Sequence, residues 1–119
     1  MLKVYTLSNC DGCRAATKWL RAQGIAFEEH AIRETPPSPA ELRAMLAARG
    51  GEIRKLFNTS GRDYREQKLG EKLPGLGVDA ALELLAKNGN LVKRPFAVGK
   101  GVWLAGFEEE AWAAALARR

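Results

Sequence analysis

Two cysteines three residues apart, in the run Cys10-Asp11-Gly12-Cys13, are the residues of this 119-residue chain best equipped for chemistry. A thiolate is a nucleophile, and a second thiol one helical turn away can attack a mixed disulfide on the first and release the partner. The pair therefore reads as nucleophile Cys10 and resolving thiol Cys13 in thiol–disulfide exchange. Zinc needs about four ligands, and the only other soft ligand in the chain is His30, so no metal site is expected. A pair of inert core cysteines is the remaining alternative, and it sits poorly with the turn that Gly12 marks.

The elements around the pair give it its context. Leu2 to Leu7 is a short apolar segment bounded by Ser8 and Asn9, and it reads as a buried strand. A helical pattern follows, with Ala16, Trp19, Leu20 and Gln23 on one face and Gly24 where a left-handed cap is usual. Ile25 to Ile32 alternates as a second strand. The three segments form a βαβ unit with a right-handed crossover, and Cys10 falls at the helix N-terminus, where orphan N–H groups and the helix dipole favour a thiolate. Arg14 and Lys18 add positive charge there and Asp11 opposes it.

After the proline-rich stretch from Glu34 to Pro39, Ser38-Pro39-Ala40-Glu41 combines an N-cap, a first-turn proline and a capping-box glutamate. The helix it opens carries Leu42, Met45 and Leu46 inward and ends at Gly50-Gly51. Glu52 to Phe57 continues as a short helix before the turn Asn58-Thr59-Ser60-Gly61, and Val78 to Lys87 is the next helix, stopped by Asn88-Gly89. Leu91-Val92, Pro95 to Val98 and Val102 to Phe107 read as two short strands around the hairpin Gly99-Lys100-Gly101. Glu108 to Glu110 open a last helix and Arg118-Arg119 close it, with Trp112 and Leu116 inward. The order is βαβ, a helical insertion at about 38–90, then ββα: an α/β fold with a mixed four-stranded sheet in one domain spanning 1–119. That order, with Cys-x-x-Cys at the first strand-to-helix turn, is the thioredoxin fold.

Composition narrows the classes further. The formal charge is +5 and 46% of residues are apolar, ordinary for a globular domain. Apolar runs fall far short of the ~18 residues of a membrane span, and residues 1–10 lack a signal-peptide core, so a cytoplasmic protein is expected. Lys87, Lys93, Arg94 and Lys100, with no acid between Lys87 and Gly101, concentrate the charge and would attract an anionic partner such as an oxyanion, glutathione or an acidic protein face. At this modest charge, with Trp19, Trp103 and Trp112 fitting core faces, direct DNA binding is not expected. His30 reads as a surface strand residue. Pro95 opens a strand, where it cannot donate to the ladder, and the Arg94-Pro95 bond is of the kind that becomes cis at modest cost; a trans edge-strand proline is the alternative.

Taken together, Tyr5-Thr6, Cys10-Asp11-Gly12-Cys13-Arg14, Lys18-Trp19-Leu20, Leu56-Phe57-Asn58-Thr59-Ser60-Gly61, Leu91-Val92-Lys93-Arg94-Pro95 and Gly106-Phe107 resemble the arsenate reductase / Spx / MgsR family over nearly the whole chain. The resemblance implies the thioredoxin fold with a helical insertion, Cys10 as the reactive cysteine, and Pro95 as the cis proline beside it. Arg94, read as exposed before a strand-opening proline, is expected to anchor an anion with its planar fork, and Asn58 and Ser60, in a turn that is either plain or close to the cysteines through the insertion, are candidate substrate contacts. The branches differ. Glutathione-dependent arsenate reductases use one cysteine, a preceding histidine and three arginines, whereas here Cys13 is present, Thr6 and Ser8 stand where the histidine would be sought, and only Arg94 matches. That pattern favours a thiol–disulfide protein, taking electrons from glutathione or thioredoxin, over an arsenate reductase proper. Spx-type regulators carry Cys-x-x-Cys and an arginine before the proline and bind the C-terminal domain of the RNA polymerase α-subunit, with an insertion glycine that Gly50 or Gly51 could match; the longer Spx tail is missing. That is the alternative reading. No bound cofactor, a monomer and no membrane association complete the expectations.

Overall fold

The computed structural model describes residues 1–116, and the arginine pair expected to close the last helix lies outside them. Two compact units emerge. The first comprises Met1–Ala31 and the chain from Arg94 onward, and the second is Ile32–Lys93.

In the first unit, strand β1 (Leu2–Thr6) leads into helix α1 (Asp11–Ala22) and strand β2 (Phe27–Ala31). β1 and β2 are parallel, with Leu2 opposite Phe27 and Thr6 opposite Ala31. Strands β3 (Phe96–Gly99) and β4 (Val102–Ala105) join antiparallel, giving the order β2-β1-β3-β4. Alternation along β1 sends Leu2 and Val4 to one face. There they pack with Ala16 and Leu20 of α1, Ala97, Leu104, and Trp112 and Leu116 of the last helix (Glu109–Leu116). Gly24, at φ +70°, ends α1 as its position in the sequence requires. On the other side of the sheet Tyr5 lies between His30 of β2 and Phe96 of β3, with ring centroids 5.3 and 5.9 Å away.

The second unit is helical. Helix α2 (Pro39–Ala48) opens with the complete capping box: the Ser38 hydroxyl accepts from Glu41 N–H at 3.1 Å and the Glu41 carboxylate accepts from Ser38 N–H at 2.9 Å. A 3₁₀ turn at Ile53–Leu56 replaces the short helix expected there. Helices α3 (Arg62–Glu66) and α4 (Leu69–Lys72), a 3₁₀ turn at Leu73–Gly75, and helix α5 (Val78–Lys87) follow, which makes the Glu109–Leu116 helix α6. Periodicity missed α3 and α4 because five and four residues are too few to display it. Leu42 and Met45 of α2 are buried, as are Leu82 and Leu85 of α5, and the two helices pack together. Leu91 and Val92 do not form a strand: Leu91 ends a 3₁₀ turn and Val92 makes a single antiparallel bridge to Phe57.

The ends of this unit meet at Gly89. A Cβ built there would lie 1.9 Å from the Ile32 carbonyl oxygen and 2.6 Å from its carbon, so only glycine permits the approach. Beside it, Arg33 Nε donates to Asn90 Oδ1 at 2.9 Å, and Asp63 accepts from Asn88 and Asn90 at 3.0 and 3.3 Å. These bonds hold the Asp63 carboxyl below its ordinary range. Gly89→Ala should therefore destabilise the protein by about 3 kcal/mol or more, because backbone must shift to admit the methyl group. Chemical denaturation would measure this, and a loss under about 1 kcal/mol would contradict the close approach.

Candidate functional site

Cys10 is the N-cap of α1, with φ −110° and ψ 114°, and its Sγ accepts the Cys13 N–H at 3.1 Å. A sulfur thus takes the capping role usually held by a Ser, Thr, Asp or Asn oxygen. The backbone fixes the residue on both sides: Cys10 N–H donates to the Leu7 carbonyl at 3.2 Å and Arg14 N–H to the Cys10 carbonyl at 3.0 Å.

The two thiols, both free, are unequal. Cys10 is half-buried and Cys13 is buried. Burial pushes the Cys13 thiol up to about 12, and a hydrogen bond with Cys10 adds to the effect, while a backbone hydrogen bond at Leu7 and the Arg94 charge oppose it. Near neutral pH Cys13 therefore holds its proton, behind a sulfur that solvent reaches.

The Arg94-Pro95 peptide is cis. Pro95 is buried, and its Cδ is 3.7 Å from where a Gly12 Cβ would stand, which places the proline against the Cys-x-x-Cys turn. The Pro95 carbonyl accepts from Gly106 N–H at 2.8 Å, and the Gly106 carbonyl accepts from the Trp112 indole Nε1–H at 2.9 Å. A buried tryptophan of α6 thus anchors the loop that follows β4, which in turn holds the proline; Gly106 sits at φ +77°, a conformation that glycine adopts without strain. Arg94 is half-buried, not exposed as the sequence suggested, because it adjoins the buried proline and lies near enough to Cys13 for its charge to act on that thiol.

Asn58 and Ser60 belong to the second unit. Asn58 is half-buried, with its N–H donating to the Leu91 carbonyl at 2.7 Å and its own carbonyl accepting from Gly61 at 3.0 Å; Ser60 is exposed. Both lie in the turn that precedes α3. Cys10, Cys13, Arg94 and Pro95 are thus brought together within the first unit. His30 has Tyr5 and, at 3.3 Å, Glu28 as neighbours. No group of three or more metal-ligating side chains occurs among the described residues. Sequence reasoning did not find the Trp112–Gly106–Pro95 chain, nor the Thr6 hydroxyl donating to Glu29 at 2.6 Å at the end of β1, since neither follows from spacing along one element.

The raised Cys13 value predicts an alkaline signature. The folded state keeps this proton at pH values where the unfolded chain, near 9.0, has lost it, so the resulting stability is complete below pH 9 and is lost as pH rises toward 12. Wild type should lose more stability than Cys13→Ala as pH is raised through that range. Denaturation at stepped pH would test this, and parallel curves would refute it.

Comparison with known proteins follows the same lines. The ArsC family model matches residues 5–115. YusI of Bacillus subtilis, described as uncharacterized, is 43% identical over 109 residues, 92% of each chain. The global transcriptional regulator Spx of Enterococcus faecalis is 32% identical over 110 residues, covering 92% of this chain and 82% of the relative. An ArsC family related protein from Bacteroides fragilis superposes with a TM-score of 0.89 at 37% identity, over 96% of both chains. The mixed sheet, the cysteine turn and the cis proline thus form a thioredoxin-like fold of a recognised kind, and the chain belongs to the ArsC family.

Proposed function

We propose that this protein is a thiol–disulfide oxidoreductase of the reducing cytoplasm. The observation that carries the reading is the inequality of the two thiols: a half-buried Cys10 sulfur capping a helix, and a buried, protonated Cys13 behind it. Cys10 as thiolate attacks one sulfur of a partner disulfide; that S–S bond breaks and the other sulfur leaves as a thiolate. Cys13 then loses its proton and attacks Cys10 Sγ. The Cys10–Cys13 disulfide forms, the second partner sulfur leaves, and two electrons have passed to the partner. Glutathione or thioredoxin then returns two electrons and the protons, restoring the dithiol. Pro95 flanks the reacting sulfur, and Arg94, with its planar fork of donors, holds an oxyanion or a carboxylate of the partner.

The similarity to a global transcriptional regulator over 92% of the chain supports a second reading. In it, the same dithiol senses oxidants, and its state governs binding to the C-terminal domain of the RNA polymerase α-subunit.

Two sets of variants test and rank these readings. Cys10→Ser should abolish exchange, whereas Cys13→Ser should trap a mixed disulfide on Cys10 visible by mass spectrometry. Faster alkylation of Cys13 than of Cys10 near neutral pH would reverse the roles. Arg94→Ala should weaken an anionic partner roughly ten-fold or more, less so at high salt. Titrations against glutathione, arsenate and the polymerase domain would read it. A loss confined to the polymerase domain would decide for the regulator, and no loss in any titration would remove Arg94 from the site.

A further inference from the structure

Arg14 straddles the reactive cysteine. Its backbone N–H donates to the Cys10 carbonyl at 3.0 Å. One guanidinium nitrogen, Nη1, reaches back to the Ser8 carbonyl at 3.0 Å, and the other, Nη2, is paired with the Asp11 carboxylate. The side chain thus spans from two residues before Cys10 to one residue after it. The Ser8 contact points the guanidinium across the β1–α1 loop, where an arginine in the second turn of a helix would otherwise extend into solvent.

Stability does not explain the arrangement, because both partners are largely exposed, Asp11 almost fully, and such pairs contribute little. Charge at the sulfur does. An aspartate immediately after the nucleophile places a negative charge at the mouth of the site, where it repels anionic partners and opposes the thiolate. Paired with Arg14, that charge is cancelled at the point of approach. We infer that Arg14 is a positioning residue that neutralises Asp11 and thereby admits anionic disulfides to Cys10. The inference deepens the exchange reading above and rests on it.

Two aromatic disulfides of similar reactivity type test it: the dianionic 5,5′-dithiobis(2-nitrobenzoic acid) and the neutral 4,4′-dithiodipyridine. With either, the Cys10 thiolate attacks one sulfur, the probe's S–S bond breaks, and an aromatic thiolate or thione is released and read by absorbance. Arg14→Ala should slow the anionic probe about three- to ten-fold relative to the neutral one, the size expected of uncovering one exposed charge on the residue next to the nucleophile in a largely aqueous setting. Adding Asp11→Asn to Arg14→Ala should restore the wild-type ratio, and Arg14→Lys should retain most of it. Near 1 M salt, where screening acts within about 3 Å, the single variant and wild type should converge. An unchanged ratio in Arg14→Ala, or an equal slowing of both probes that Asp11→Asn leaves in place, would overturn the inference. Failure of wild type to react with either probe would overturn the exchange reading itself.

Discussion

The hydrogen bond from Cys13 N–H to Cys10 Sγ depends on an abrupt change of backbone direction at the end of β1, and the rest of the site is arranged around that change. A strand that runs into a helix leaves the first helical N–H groups without intrahelical partners, and here a side chain at the junction accepts one of them. Here that side chain ends in sulfur, and one contact caps the helix and fixes where the sulfur stands. The three-residue spacing then places the second thiol inside the first turn, on the face that α1 turns to the sheet. Burial of Cys13 at 2% exposure is consequently a product of the same geometry that leaves Cys10 half-buried.

Local signals were the legible part. Ser38-Pro39-Ala40-Glu41 announced the start of α2 and the capping box is formed, because its two hydrogen bonds lie within four residues. Gly24, and the hairpin with Gly101 at φ +72°, were readable for the same reason. The cysteine turn was legible from spacing and context, and the cis state of Arg94-Pro95 followed from the family resemblance, with the residue chemistry permitting it. What was hidden is nonlocal. Nothing in the run Leu91-Val92 distinguishes a strand from a turn with a single bridge to Phe57, since the choice depends on a partner 35 positions earlier. The half-burial of Arg94 depends likewise on what packs around it. At Gly89 the constraint is steric contact with Ile32, and an isolated Asn-Gly pair says only that a helix stops.

The two units solve different problems. The sheet unit builds an apolar face from Leu2, Val4, Ala97 and Leu104 under two helices, and so carries the cysteines on a rigid strand–helix junction. The insertion combines short-range devices, a capping box and 3₁₀ turns, with long-range ones: a glycine that leaves no room for a methyl group against Ile32, and a carboxylate bonded to two asparagines. Such a segment can vary in sequence at its surface while keeping its ends together.

The indole of Trp112 sets a minimum length for a working chain. Its N–H holds the Gly106 carbonyl, and the Gly106 N–H holds Pro95, so the loop beside the thiols is secured by a residue 99 positions beyond Cys13. Synthesis on the ribosome must therefore run through α6 before the proline is tethered. A nascent or proteolytically clipped chain ending short of residue 112 would carry both cysteines yet leave the Pro95 segment without its anchor.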